Sequence, residues 1–269
     1  MREEILSNQT AWARVAQDHY QTFRKAFQSG TYALNAIIRR EVGDLTGKRV
    51  IHLQCNTGAD TLCLRQMGAA YAMGVDLVPE NIAYARRLAD DLGMANVDFL
   101  QSDILELSCV HHETYDVVFT SEGVLGWLPD LTRWSQTVRK LLRPNGYLYL
   151  FDSHPFFLAM DEGKLAKEEY AIKYPYFGVQ PDVDDTIGGY ASPVYHGVKA
   201  YFWMHTVSDI LNALIDAGLQ VERFNEYPEN FFDSGDMQRD ESTGLYVYPY
   251  NTDKYPMSFS LKATVRPGR

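Results

Sequence analysis

Val50-Ile51-His52-Leu53-Gln54-Cys55-Asn56-Thr57-Gly58 is a short apolar run that ends in a tight polar turn. A helix-compatible stretch follows, then a second apolar run, Ala72-Met73-Gly74-Val75, closed by Asp76. The 18 residues from Gly58 to Asp76 are about one helix plus one strand. Turn and carboxylate therefore meet at the carboxyl edge of a parallel sheet, where nucleotides bind in open α/β folds. A carboxylate placed there accepts hydrogen bonds from both hydroxyls of a ribose.

The pattern continues outward from this unit. Lys48 to Leu53, Ala72 to Asp76, Val97 to Leu100, Asp116 to Thr120 and Tyr147 to Asp152 read as strands. Asp60 to Gln66, Asn81 to Leu92 and Leu131 to Leu142 read as the helices between them, with Pro79 in a first turn and Gly93 as a C-cap. Arg143-Pro144-Asn145-Gly146 reads as a turn. This alternation over residues 48–152 predicts a parallel sheet with helices on both faces. Ahead of it, residues 3–28 carry a helical apolar stripe through Trp12, Val15, Ala16, Tyr20, Phe23 and Phe27, and Tyr32 to Val42 reads as a second helix. After it, Val207 to Ala217 reads as a helix, and Leu219 to Phe224 and Met257 to Val265 as strands. Residues 154–205 show no clear period, and 227–255 are too long for a simple hairpin. No repeat, linker or low-complexity segment appears. One domain over 1–269 is expected: a helical lid (1–46), a core (47–153) and two inserted substrate-cap segments (154–205 and 227–255).

Bulk properties narrow the function. The chain has 269 residues, net charge −10 and a hydrophobic content of 46%. The acidic balance and the lack of any basic run exclude a phosphate-tracking nucleic-acid binder and suit a neutral or cationic small substrate. Cys55, Cys63 and Cys109 have neither disulfide nor zinc spacing. Met1-Arg2-Glu3-Glu4 lacks the apolar core of a signal peptide, and no stretch is apolar for the ~18 residues a membrane span needs. A cytoplasmic enzyme without a membrane partner is expected, as monomer or homodimer.

The turn is not the G-x-G-x-x-G that lets a backbone approach a pyrophosphate. It holds one glycine and offers amide side chains, which favours a nucleoside with an amino-acid tail over a dinucleotide. A nicotinamide-dependent oxidoreductase is thereby disfavoured. These residues resemble the first motif of the class I S-adenosylmethionine-dependent methyltransferases, typically Val-Leu-Asp-Leu-Gly-Cys-Gly-Thr-Gly. His52 replaces the acidic residue, Gln54 the first glycine and Asn56 the second, while Gly58 is kept. A bacterial small-molecule-type subgroup has a similar His-Leu-Gln-Cys turn. The resemblance covers residues 48–152 and, less closely, 206–265. It implies a doubly wound, seven-stranded, mostly parallel α/β sheet with an antiparallel last strand.

It also implies S-adenosyl-L-methionine as cofactor and a set of contacts. Gln54, Cys55, Asn56 and Gly58 would meet the methionine part, and Asp76 with Leu77 the ribose. Asp103 would accept from the adenine amine while Ile104 packs on the ring, and Thr120 and Ser121 would close the site near the sulfonium. Tyr20, on the lid helix with Trp12, either covers the cofactor or packs on the sheet. His52 reads as a core histidine. His154, His205 and Glu122 are the candidate bases, with His154 foremost because it follows strand five in Ser153-His154-Pro155; the alternative is a histidine that bonds its own loop. No metal site is expected, since only Asp152 stands near strands four and five, and Asp182-Val183-Asp184-Asp185 reads as a solvated acidic loop. Thr120-Ser121-Glu122-Gly123 lacks the Pro-Pro-aromatic run of nucleic-acid amino-methyltransferases. Cap aromatics such as Phe156, Tyr174, Phe177, Trp203 and Phe231 favour a ring-bearing or amine-bearing acceptor. The expectation is methyl transfer to a small molecule, with a non-catalytic binder of S-adenosylmethionine or S-adenosylhomocysteine as the alternative.

Overall fold

The computed structural model describes residues 3–265; Met1 and Arg2, part of the lid expectation, and residues 266–269 lie outside them. The first helix, α1 (Glu3–Gln28), precedes α2 (Ala36–Glu41). Then come β1 (Arg49–Leu53), α3 (Ala59–Gln66), β2 (Tyr71–Asp76), α4 (Pro79–Asp91) and β3 (Val97–Gln101). These are followed by α5 (Leu107–Val110), β4 (Tyr115–Ser121), a 3-10 turn at Leu125–Trp127, α6 (Leu131–Leu141) and β5 (Leu142–Ser153). The first cap segment contains α7 (Pro155–Leu158), α8 (Glu162–Leu165), β6 (Asp182–Ile187) and β7 (Tyr195–Phe202). After α9 (Val207–Asp216) and β8 (Leu219–Tyr227), the second cap segment holds β9 (Gln238–Arg239) and β10 (Tyr246–Val247), and β11 (Ser258–Val265) ends the described chain.

The main sheet runs β3-β2-β1-β4-β5-β11-β8. The first five strands are parallel, and β11 is antiparallel to both β5 and β8. The expected seven-stranded architecture is therefore present. Its helices cover both faces because alternate strand residues are apolar on both. Ile51, Leu53, Val118, Leu148 and Leu150 pack on Trp134 and Val138 of α6 and on Ile210 and Leu214 of α9. The intervening Val50, Val117, Phe119, Tyr149 and Phe151 pack on Ile37, Ile38, Cys63 and Leu64 of α2 and α3. Burying such a Leu, Ile or Phe side chain stabilises by about 1.5–3 kcal/mol.

Several expectations need adjustment. Helix α2 starts at Ala36, not Tyr32, because the Asn35 side chain accepts from Ile38 N–H and sets the N-cap there. Residues 32–35 are left extended, and Tyr32 and Asn35 face the cavity described below. The presumed turn at Arg143-Pro144-Asn145-Gly146 is the irregular start of β5, where register with β4 shifts between Tyr115 and Val117. Asp182-Val183-Asp184-Asp185 is solvated as expected but forms most of β6, paired antiparallel to β7. Helix α1 grips that hairpin: the Asn8 amide donates to Tyr201 C=O (2.8 Å) and accepts from Tyr201 N–H (2.7 Å), much as a neighbouring strand would. Among the described residues no helix is long and apolar enough to cross a membrane.

Candidate cofactor and acceptor site

The turn after β1 keeps a glycine-like backbone with few glycines. Gln54 and Asn56, the two residues in glycine positions of the motif, have φ of 57° and 50°. Asn tolerates this left-handed region through its short polar side chain, whereas Gln adopts it at a cost of about 1–3 kcal/mol. Such strain persists where surrounding contacts hold it, and here they are visible. Asn56 N–H donates to Asp76 Oδ2 (2.8 Å), and Gln54 Nε2 donates to Val124 C=O (3.0 Å). Gly58 (φ 82°) caps α3, and a Cβ there would lie 2.7 Å from the Phe99 ring and 2.8 Å from Ala85 Cβ. Its absent side chain lets α3, α4 and β3 close together.

Asp76 is nearly fully buried. It accepts from Asn56 N–H, from Val78 N–H (2.9 Å) and from Asn81 Nδ2 (3.1 Å). Burial pushes its carboxyl up to about 6, and these hydrogen bonds hold it from rising further. Asp103, one strand over, accepts from Leu105 N–H (2.9 Å) and so orients the loop that presents Ile104.

A cavity of about 1230 Å³ lies outside the carboxyl ends of the strands, under α1 and the two cap segments. Gln54, Cys55, Asn56, Asp76, Leu77, Asp103, Ile104 and Ser121 all line it. Gly58, Thr120 and Tyr20 do not. Gly58 acts behind the turn through packing. Thr120 is fully buried and donates to Leu53 C=O (3.3 Å), tying β4 to β1. Tyr20 donates to Asp91 Oδ2 and stacks on Tyr84 at 5.1 Å, so it docks α1 on α4. Trp12 does line the cavity, edge-on to Trp127 at 5.1 Å.

The foremost base candidate is misplaced. His154 is buried outside the cavity lining; its Nδ1 accepts from Phe156 N–H (3.1 Å) and caps α7, and Nε2 lies 2.9 Å from Glu226 on β8. Proline at 155 and the short helix that follows turn the ring back toward the sheet edge. Burial pushes its pKa down, against the pull of Glu226. His205 lines the cavity, but its Nε2 bonds Leu128 C=O (2.8 Å).

The titratable centre is elsewhere. Tyr32 OH donates to Asp60 Oδ1 (2.8 Å), Ser121 Oγ to Asp60 Oδ2 (3.2 Å), and Asn35 Nδ2 to Glu122 Oε1 (2.9 Å). All five line the cavity. Glu122 has φ 62°, a strained conformation for a side chain of this size. Burial, then the charge of Asp60, push its carboxyl up to about 8, with Asn35 opposing and Asp152 adding to the rise. Burial also raises Asp60, with its two hydroxyl partners opposing. Asp152 is occupied otherwise, accepting from the backbone N–H groups of Gly123 (2.8 Å), Val124 (3.1 Å), Leu125 (2.9 Å) and Ser153 (2.7 Å). It shapes the turn that carries Glu122. In sequence, Asp60 reads only as an acidic residue in a helix's first turn, and Tyr32 and Asn35 only as the start of a helix; an Asn two residues ahead of Ile37-Ile38 was the one local cue to a cap.

Comparison with known proteins agrees with this geometry. Residues 44–173 match a family model described as a methyltransferase domain. The matched segment is a little under half of the chain and contains β1 to β5, so this core is similar to a methyltransferase domain. Among curated relatives, a ubiquinone biosynthesis O-methyltransferase of Acinetobacter baumannii (strain AYE) is 27% identical over 132 residues, 49% of this chain and 54% of the relative. The match thus spans about half the length of each. A solved DhpI–SAH complex superposes with a TM-score of 0.59 at 18% identity, covering 98% of both chains. An S-adenosylmethionine-dependent methyltransferase from Mesorhizobium loti superposes with a TM-score of 0.54 at 21% identity, covering 84% of this chain and 95% of that one. At these identities the structural likeness speaks for the fold.

Proposed function

We propose that this protein binds S-adenosyl-L-methionine at the carboxyl edge of β1, β2 and β3 and transfers its methyl group to a small molecule held under the cap. The observation that carries the reading is the convergence of Gln54, Asn56, Asp76 and Asp103, from three successive strand ends, on one cavity. The residues fit the group. The Oε1 of Gln54 and Oδ1 of Asn81 are buried without a partner among the described residues and belong to cavity-lining side chains, as acceptors awaiting donors would be. Asp76 would hold the ribose hydroxyls, Asp103 with Ile104 the adenine, and Gln54 with Asn56 the amino-acid end. When bound, the cofactor supplies a methyl group already activated on a sulfonium. The protein then has to orient the acceptor, keep water out and accept a proton. The aromatic residues of the cap, Tyr174, Trp203, Phe231 and Phe232 among them, serve the first two tasks. The relative's name specifies an oxygen acceptor for that protein, but its match covers only about half of either chain. The net charge of −10 speaks against a nucleic-acid substrate.

Calorimetric titration with S-adenosylmethionine, and with NAD in parallel, tests the reading. Saturable S-adenosylmethionine binding is expected, weakened by about 1–3 kcal/mol in Asp76→Ala through loss of charge-assisted hydrogen bonds. No binding, or tight binding of NAD instead, ends it.

A further inference from the structure

Among the cavity-lining carboxylates that the cofactor reading leaves unused, Asp60 on α3 and Glu122 after β4 are linked through Ser121, whose hydroxyl donates to Asp60 and which directly precedes Glu122. Neither forms an ion pair among the described residues. The same cavity also meets a buried ring nitrogen. His52 is 3% exposed and lines the cavity; its Nδ1 bonds Thr61 Oγ1 (2.9 Å), and its Nε2 has no partner among the described residues. His52 pairs with Phe119 in the sheet, so it shares a face with Ser121, two residues further along β4, whose hydroxyl donates to Asp60. Two buried acids without a counterion and a vacant ring nitrogen in one cavity define a recess for a cationic, hydrogen-bonding ligand. Among the described residues no three His, Cys, Asp or Glu side chains converge as a metal site requires. An organic cation suits the recess better than a metal ion. Phe231, 3.6 Å from the Cβ position of Gly123, and Tyr32 supply aromatic faces that favour one.

Building on the methyltransferase reading, we infer that Asp60 and Glu122 form the acceptor subsite, that the acceptor is a ring-bearing primary or secondary amine entering as its ammonium ion, and that Glu122 takes its proton. Asp60, held by the Tyr32 and Ser121 hydroxyls, keeps the negative charge that attracts the ammonium. Glu122, beside that charge, is the stronger base of the two, with a proton affinity near the working pH where general bases are most effective. The accounting is complete. The ammonium loses one proton to the Glu122 carboxylate and exposes its nitrogen lone pair. The nitrogen–methyl bond forms as the sulfur–methyl bond breaks, and that bond's electron pair stays on the sulfur. S-adenosylhomocysteine leaves with the methylated ammonium, and Glu122 returns its proton to water.

Burial and the neighbouring Asp60 push the Glu122 carboxyl up to about 8, so in the free protein it holds a proton near neutrality that an arriving cation displaces. This gives a readout apart from turnover. The full chain, saturated with S-adenosylhomocysteine, is titrated with benzylamine, 2-phenylethylamine and tryptamine, and with 4-ethylphenol as the neutral counterpart, in buffers of different ionisation enthalpy. At least one amine should bind with release of a substantial fraction of one proton, ahead of the phenol. Glu122→Gln and Asp60→Asn should each weaken it at least tenfold, and Glu122→Gln should abolish the proton release. Both variants should keep S-adenosylhomocysteine affinity within threefold, which shows that they fold. With isotopically labelled S-adenosylmethionine, mass spectrometry should find the methyl group on nitrogen. Failure of every amine to bind, unchanged amine affinity in both variants, or methylation of the phenol oxygen would overturn the inference. Loss of S-adenosylhomocysteine binding in the unaltered protein would instead count against the methyltransferase reading itself.

Discussion

The cofactor core and the substrate cap are built on different principles. In residues 47–153 most residues of β1, β2, β4 and β5 are buried, and helices seal both faces of the sheet. The strand-end groups are held by short backbone bonds, as Asp76 is by Asn56 and Val78. The cap segment between residues 170 and 194 is the reverse. Tyr170, Ile172, Phe177, Val179, Val183, Tyr190 and Val194 are all exposed there. Its hairpin is a separate two-stranded sheet, clasped by Asn8 of α1 and not continuous with the main sheet. A ligand shared by many proteins needs a fixed cradle, whereas an acceptor peculiar to one needs an adaptable cover, and lids are drawn from the less stable parts of a fold. If this division holds, substitutions in the core should be felt as stability, and those in the cap as selectivity.

The sharpest case is Gly58. Alanine there would meet both the left-handed backbone and contacts of 2.7–2.8 Å with Phe99 and Ala85. Strain and overpacking together should cost about 2–4 kcal/mol in urea denaturation. A loss below about 1 kcal/mol would show that α3 and α4 yield easily, and the core would not be the rigid half.

His52 tests the core through pH. Burial pushes its pKa from an ordinary 6.5 down to about 3, so the folded protein keeps it neutral. Between these values the unfolded chain binds a proton that the folded one refuses, and stability falls as pH falls. The contribution is fully present above about 6.5 and declines by up to about 1.4 kcal/mol per pH unit below it. Asp76, whose folded pKa is raised, acts in the opposite sense across part of this window. The measurement is therefore the difference in slope between the unaltered protein and His52→Gln from pH 6.5 to 5. The variant should lose less stability on acidification. Parallel slopes would mean that the ring takes up its proton within the fold, through the unpartnered Nε2 facing the cavity.

The same contrast explains what could be read from the sequence. Periods of two and 3.6 residues mark elements that bury a face, so β1 to β5 and their helices were legible to within a few residues. Asp76 and Asp103 were legible because a strand end fixes where its next side chain goes. The meeting of Asp60 with Glu122 was not, although Glu122 stood among the candidate bases. Asp60 and Glu122 are 62 residues apart in sequence, and only the parallel pairing of β1 with β4 brings the turns that carry them to one wall. His154 misled for a related reason: strand five delivers it to the right edge, but the proline and short helix that follow decide its orientation. Tyr20 lies on the expected apolar stripe, yet that stripe packs on α4 as well as facing the site.

The contact between the two halves is where the smallest effect is expected. Tyr190, on the cap, reaches the cofactor turn: its hydroxyl is 3.4 Å from both Asn56 Nδ2 and His19 Nδ1, and its ring lies 4.8 Å from the His19 ring. Asn56 has a nearer partner in His19 Nδ1 (3.0 Å), so the Tyr190 bonds are long and redundant. Much of the residue is exposed, while burial pushes the pKa of its hydroxyl up, so the change to Phe removes only a long, shared bond and little packing. Tyr190→Phe should thus change stability by no more than about 0.5 kcal/mol. S-adenosylhomocysteine affinity, measured by calorimetry, should move less than threefold. A larger loss in affinity with stability unchanged would mean that the cap helps to set the conformation of Asn56. The cradle and its cover would then be one device, and choice of acceptor would be coupled to hold on the cofactor.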